Sequence, residues 1–208
     1  MEATVTEFMV KVESLSIDFF SGLANKLESL PTNNQLLTTY GPMLEFAKRN
    51  KAKFDKITLI GLAHMAYGWM PTMIQNITIN DLSDWKNLID AGNLDSDFLK
   101  KVMSLTNDSI VGASKLLHFL NPDLYPIYDS RVYKTISGKD KHNLSKDVEN
   151  YICYTGKLRL LVKESKDNPI FSKIENELMK KNFIPSKCSR IRVLEVCLYA
   201  SADNCSSK

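Results

Sequence analysis

Lys115 and Asp129 are the two side chains of this sequence best suited to chemistry, as an amine nucleophile and a carboxylate, and the stretch 112–136 carries both on successive helices. An amine must shed its proton before it attacks carbon, and a lysine at its ordinary pKa of about 10.4 is almost wholly ammonium at neutral pH. Lys115 lies among Ala113, Leu116 and Leu117, where desolvation would depress its pKa and free the lone pair for Schiff-base formation. Asp129 supplies the complement, a carboxylate that can stabilise positive charge building on a substrate. The same two residues read equally well as an ion pair that pins one helix to the next and does no chemistry.

Other side chains gather around this pair in the sequence. His118 follows Lys115 by one helical turn, so it can hydrogen-bond a base or phosphate from the same face, or serve as a satisfied, half-buried packer. Arg131 follows Asp129 and can hold a phosphate beside a helix N-terminus, or make a surface ion pair. Tyr125, Tyr128 and Tyr133 flank Asp129, and Tyr67 and Trp69 lie on an earlier segment. Aromatic faces stack on nucleobases for about 1–3 kcal/mol per base, and core packing is the ordinary alternative for each. Lys180, Lys181, Lys187, Arg190 and Arg192 form a basic set, but Glu175, Glu177 and Glu195 interleave with it, which reads as a solvated face. His64, His118 and His142 show no ligand spacing, and Cys153, Cys188, Cys197 and Cys205 contain no Cys-x-x-Cys pair. The expectation is no metal, no cofactor, and reduced thiols in a cytoplasmic protein. Nucleophile elbow, phosphate loop and dinucleotide fingerprint are all missing from the sequence.

The elements that must position these groups are helices. Ile110, Leu116, Leu117 and Leu120 recur at three- and four-residue steps, predicting a helix over 109–120 that Asn121-Pro122 ends. Pro122 and Pro126 hold an extended connector over 124–128. Asp129 then caps a helix running to about 136, with its carboxylate on the N–H groups of Arg131 and Val132, and Gly138 stops it. Elsewhere the apolar spacing predicts one long amphipathic helix over 5–30, a segment over 33–49 interrupted at Gly41-Pro42, and an apolar helix over 57–69. Further helices are expected over 79–91 with Asp81 as cap, 95–106, 144–166, 170–181, and from Pro185-Ser186 to about 200, with 201–208 a frayed tail. No stretch alternates as a strand would, so the fold class is all-α.

Composition sets the outer limits. With 208 residues, 44% hydrophobic and 25% charged, the chain is an ordinary folded protein with enough length to bury a substantial core. It reads as one helical domain, or as two lobes, 1–108 and 109–200, flanking one pocket. A net charge of +3 implies nucleic acid only if the positive charges gather on one face. Glu2, Glu7 and Lys11 interrupt any signal-peptide core, and the apolar stretch 57–74 is broken by Pro71, so no membrane segment is expected.

Gly112-Ala113-Ser114-Lys115 followed by Pro126-Ile127-Tyr128-Asp129-Ser130-Arg131-Val132 resembles the core of the helix-hairpin-helix DNA glycosylase superfamily, particularly compact members with an 8-oxoguanine DNA glycosylase fold. Tyr67-Gly68-Trp69-Met70-Pro71 looks like a second segment of such members. In that superfamily a glycine-containing hairpin leads into a helix bearing a lysine nucleophile, and a Pro-Val-Asp-x-His-Val type segment supplies an aspartate. The resemblance therefore implies Lys115 at the nucleophile position and Asp129 at the aspartate position. The hairpin Asp108-Ser109-Ile110-Val111-Gly112 keeps one glycine of the usual Pro-Gly-Val-Gly turn, so the core is degenerate. Three functions follow from it. One is a DNA N-glycosylase/lyase for base excision of a modified purine, with Trp69, Tyr67, His118, Tyr125, Tyr128 and Arg131 binding the ligand. Another is a non-catalytic protein of the same fold that holds a free nucleotide or cyclic nucleotide, such as a viral anti-defence sponge for an immune signal. The third is a protein-interaction module.

Overall fold

Side-chain caps decide where most of the helices begin. The computed structural model describes residues 6–27, 35–70, 72–79, 82–141, 143–164 and 167–202, and every regular element among them is a helix. In chain order these are α1 (Glu7–Glu13), α2 (Ile17–Leu27), α3 (Gln35–Thr38), α4 (Tyr40–Asn50), α5 (Lys56–Tyr67) and α6 (Trp85–Asp90). There follow α7 (Ser96–Met103), α8 (Ile110–Leu120), α9 (Ser130–Ser137), α10 (Val148–Glu164), α11 (Pro169–Lys180) and α12 (Arg190–Ser201). Asp55, Asp95, Ser109, Asp129, Asn168 and Ser189 each accept a hydrogen bond from the first turn of the helix they precede, satisfying N–H groups that have no partner inside it. None of these helices is long and apolar enough to cross a membrane.

Five expected boundaries need correction. The single helix over 5–30 is two, because Ser14 and Ser16 compete with the backbone: Ser14 Oγ donates to Lys11 O at 2.8 Å, and Ser16 Oγ accepts from Phe19 N at 3.3 Å to start α2. Gly41-Pro42 does not interrupt its helix. Both residues lie in the first turn of α4, where a proline's missing N–H costs nothing, and the break falls at Thr39. The helix expected over 79–91 starts only at Trp85, after Asp84 in the left-handed region at φ 62°. The last helix opens at Arg190 under its Ser189 cap rather than at Pro185-Ser186, after Lys187 turns the chain at φ 62°. Of the expected tail, Ser201 instead closes α12 and Ala202 is buried after it, while residues 203–208 and the expected cap Asp81 lie outside the described residues.

Two helices are buried along nearly their whole length, and the others wrap them. α8 is enclosed by α4, α5 and α7, and α12 by α2, α9, α10 and α11. Gly112 sets how closely α5 and the turn after α7 approach α8: a Cβ there would stand 2.8 Å from both Thr106 Cβ and Tyr67 Oη. The connector from α8 to α9 is fastened on every side. Tyr128 N donates to Ser114 Oγ at 3.1 Å, Arg159 Nε to Leu124 O at 2.7 Å, and Ser189 Oγ to Pro122 O at 2.7 Å. That fastening fixes Asp129 relative to α8 and α12.

Candidate functional site

Lys115 and Asp129 meet the buried face of α12 around a small hollow. α8 contributes Lys115; the connector and its cap contribute Ile127 and Asp129; α12 contributes Arg192, Glu195 and Tyr199. Trp69, just past α5, and Leu37 of α3 complete the wall. The hollow has a volume of about 50 Å³, and one water needs roughly 10–15 Å³, so it holds a few waters and no whole purine. A wider groove of about 310 Å³ lies against it, sharing Trp69, Lys115, Asp129 and Tyr199 and adding Ser130 and Arg131.

Lys115 is 7% exposed. Burial pushes its pKa down from the ordinary lysine value, against the opposing pull of Asp129 and Glu195. Its Nζ donates one long hydrogen bond, 3.4 Å, to Trp69 O, and no ion pair joins it to Asp129 within 4.0 Å among the described residues. Asp129 is half-buried, and its cap uses one carboxylate oxygen: Oδ1 accepts from Arg131 N and Val132 N, both at 3.0 Å. The Lys115 amine and the Asp129 carboxylate thus face one cavity without being locked to each other.

Beneath them sits a pair that the sequence pattern hides. Arg192 and Glu195 are each 1% exposed and joined by a hydrogen bond from Nη1 to Oε2. The guanidinium carbon lies 4.0 Å from the centre of the Tyr40 ring and 5.8 Å from that of Trp69, in cation–π range. Arg192 Nε has no hydrogen-bond partner. Burial raises the Glu195 pKa to about 7 despite the neighbouring guanidinium. Burial alone would lower Arg192, but Glu195 and Tyr40 more than offset it. A buried guanidinium–carboxyl pair at the floor of a hollow, with one donor unmet, is where strongly perturbed titrating groups signal a site. Reading these residues as a solvated face missed them. The available signal was that Ile191, Val193, Leu194, Val196, Cys197 and Leu198 surround the helix with apolar residues, leaving no side of it for water.

The remaining candidates are distributed unevenly. Trp69 lines both cavities, and its indole Nε1 donates to Thr39 Oγ1 at 3.1 Å. Arg131 lines the outer groove, with Nε donating to Tyr199 O at 3.2 Å and its guanidinium over the Tyr199 ring at 4.6 Å. His118 is fully buried and lines neither cavity. Its Nδ1 is 2.7 Å from Tyr125 O, which can only accept, so the proton is on Nδ1 and Nε2 accepts from Tyr40 Oη at 2.9 Å. Burial drives its pKa down to about 3, so it is neutral. Tyr67 donates to Thr106 O at 2.6 Å, Tyr125 to Asn93 O at 3.0 Å, and Tyr128 to Asp147 Oδ2 at 3.4 Å; all three rings are packed in the core, away from both cavities. Among the described residues no three His, Cys, Asp or Glu side chains converge as a metal site.

The hairpin between α7 and α8 ends in a closed rather than an open helix start. Asn107 and Asp108 turn the chain at φ 52° and 51°. Ile110 N, at the head of α8, donates to Ser145 O at 2.9 Å, and Lys146 Nζ donates to Asp108 O at 3.0 Å. No family model, curated protein or solved structure matches this chain.

Proposed function

We propose that this chain is a DNA N-glycosylase/lyase-like protein that recognises a purine base or nucleotide at the groove and hollow between α8, α9 and α12. The observation that carries the reading is Lys115: an almost fully buried amine with a lowered pKa, beside a cavity it shares with Asp129. The amine lone pair forms a bond to C1′ while the bond from C1′ to the base breaks, and the base leaves with that electron pair and takes up a proton. Asp129, whose cap leaves Oδ2 outside its two hydrogen bonds, stabilises the positive charge on the sugar. The attached nitrogen then loses a proton, the C1′–O4′ bond breaks with its electron pair going to O4′, which takes up a proton, and the resulting iminium is what borohydride can reduce. The order α7, turn, α8, connector, capped α9 supports a glycosylase-like fold with a degenerate helix-hairpin-helix core.

A second reading, a nucleotide binder without catalysis, is favoured by the closed hairpin. With Ser145 O on the first N–H of α8, a duplex phosphate finds fewer donors there. A free nucleotide or cyclic nucleotide, held as a sponge holds an immune signal, has no need of that contact. The discriminating experiment incubates the protein with an 8-oxoguanine duplex and borohydride. A covalent adduct that disappears in Lys115→Gln supports catalysis. No adduct, together with a thermal upshift from nucleotides or cyclic nucleotides, supports the binder. Neither result leaves the protein-interaction module as the better reading.

A further inference from the structure

Arg192 and Glu195 line the inner hollow with Lys115 and Asp129, and an ion pair is an expensive way to fill that floor. Apolar residues of similar volume would generally serve stability as well or better. The pair is also incomplete, because Arg192 Nε is buried without a partner, and buried donors are nearly always satisfied. The guanidinium lies over the Tyr40 ring and is tethered to Glu195, which fixes it against the hollow rather than letting it turn outward. Charge narrows the ligand further. Two basic groups, Lys115 and Arg192, face two carboxyl groups, Asp129 and Glu195, so the hollow has no large excess of either sign and suits a neutral, dipolar group better than a phosphate.

We propose that Arg192 and Glu195 are the specificity-determining residues of this site, reading the edge of a neutral planar heterocycle on which a hydrogen-bond acceptor sits beside an N–H donor. This rests on the reading of the site as one that handles a nucleobase. The guanidinium donates to the acceptor and the Glu195 carboxyl oxygen accepts the N–H, the paired pattern by which side chains tell base edges apart. The hollow admits the edge alone, and the body of the ring lies in the outer groove beside Trp69. Lactam edges, as in hypoxanthine and uracil, and amidine edges, as in adenine, share this pattern; a ring whose N–H groups are all methylated does not.

The test is thermal-shift titration of the full chain with hypoxanthine, uracil, adenine, caffeine and inorganic phosphate. The expected result is stabilisation by one or both N–H-bearing classes, and none by caffeine or phosphate. The lactam and amidine arms then say which edge is read. Glu195→Gln keeps the shape, removes the charge and turns one oxygen into a donor, so it weakens the effective ligand by about tenfold or more. The double variant Arg192→Met with Glu195→Leu removes the pair without leaving a lone charge, and abolishes the shift while the protein still melts cooperatively. An equal response to caffeine, a response to phosphate alone, no response to any base, or an undiminished response in the double variant overturns the proposal. Borohydride trapping reports on Lys115 separately. A protein that traps an adduct but shows no base-dependent shift defeats this inference and leaves the catalytic reading standing. One whose shift depends on Glu195 but which traps nothing supports the inference and favours the binder.

Discussion

His118 and Lys115 stand one turn apart on α8, both buried and both with pKa values lowered chiefly by burial, yet their surroundings are opposite. His118 has a partner for each ring nitrogen and solid packing around it. Lys115 has one long hydrogen bond, a cavity on one side and an unmet donor on the Arg192 that lines the same cavity. Burial is common to both and therefore decides nothing. What separates the two is whether the protein itself satisfies the buried polar group.

The strongest way to break that contrast is to unpair the floor. Arg192→Ala leaves the Glu195 carboxyl buried without its cation, at a cost of about 3–5 kcal/mol, as for other broken buried pairs. The same loss is not expected from Arg192→Met with Glu195→Leu, which should lie near wild-type stability or above it. Urea denaturation of the two variants checks this, and equal destabilisation in both would mean that the pair is structural.

Within α8 the two polar residues should respond in opposite directions. His118→Leu strands Tyr40 Oη and the Tyr125 carbonyl and costs about 1–3 kcal/mol. Lys115→Met removes an amine whose lowered pKa already marks a penalty: between its folded and unfolded pKa values the unfolded chain binds the extra proton, and the stability lost there is not regained at lower pH, so the buried lysine destabilises the fold at neutral pH. Methionine fills similar volume, so the variant should melt at or above the wild-type temperature. A lysine variant less stable than the histidine variant would erase the distinction.

Acid should sharpen it. The folded pKa of His118, about 3, lies below its ordinary 6.5, so between those values the unfolded chain carries the extra proton and stability drops as pH falls. Glu195 runs the other way. Raised from 4.5 to about 7, it holds a proton in the folded state that the unfolded state lacks, so stability is gained as pH falls through that range. Between about pH 6.5 and 4.5 the two oppose, each with a slope of about 1.4 kcal/mol per pH unit at most. Glu195→Gln should therefore expose a loss of stability as pH falls from 6.5 to 4.5, and His118→Leu should turn the same window into a gain. Urea unfolding as a function of pH distinguishes these from an unchanged profile, which would mean that neither group titrates as its burial requires.

The capped parts of this chain were legible in the sequence and the buried polar ones were not. Ser109, Asp129 and Gly138 mark their helix ends because capping is local chemistry, carried by one side chain and the next turn. Those signals bring Lys115 and Asp129 to one cavity. The split between α1 and α2 was missed because Leu15 keeps the apolar spacing across a break made by two serine hydroxyls. Arg192 and Glu195 were missed because charges three residues apart look the same in sequence on an exposed helix and on one enclosed by α2, α9, α10 and α11. His118 and Tyr125 were readable as polar aromatics, but their hydrogen bonds to each other's segments depend on how the connector folds back on α8.

The smallest stability effect belongs to the residue that joins the two halves of the contrast. Asp129 is satisfied like His118 through Oδ1, which caps α9, and open like Lys115 at the cavity it lines. Asparagine caps a helix about as well as aspartate, so Asp129→Asn should change stability by no more than a few tenths of a kcal/mol, whereas Asp129→Ala loses the cap and about 1 kcal/mol. Because asparagine keeps the cap and discards the charge, any adduct formation that depends on the carboxylate should fall sharply in Asp129→Asn while its melting temperature stays put. Adduct yield that tracks the melting temperature across the two variants would instead assign Asp129 to holding α9 in place, and its part in the chemistry would be lost.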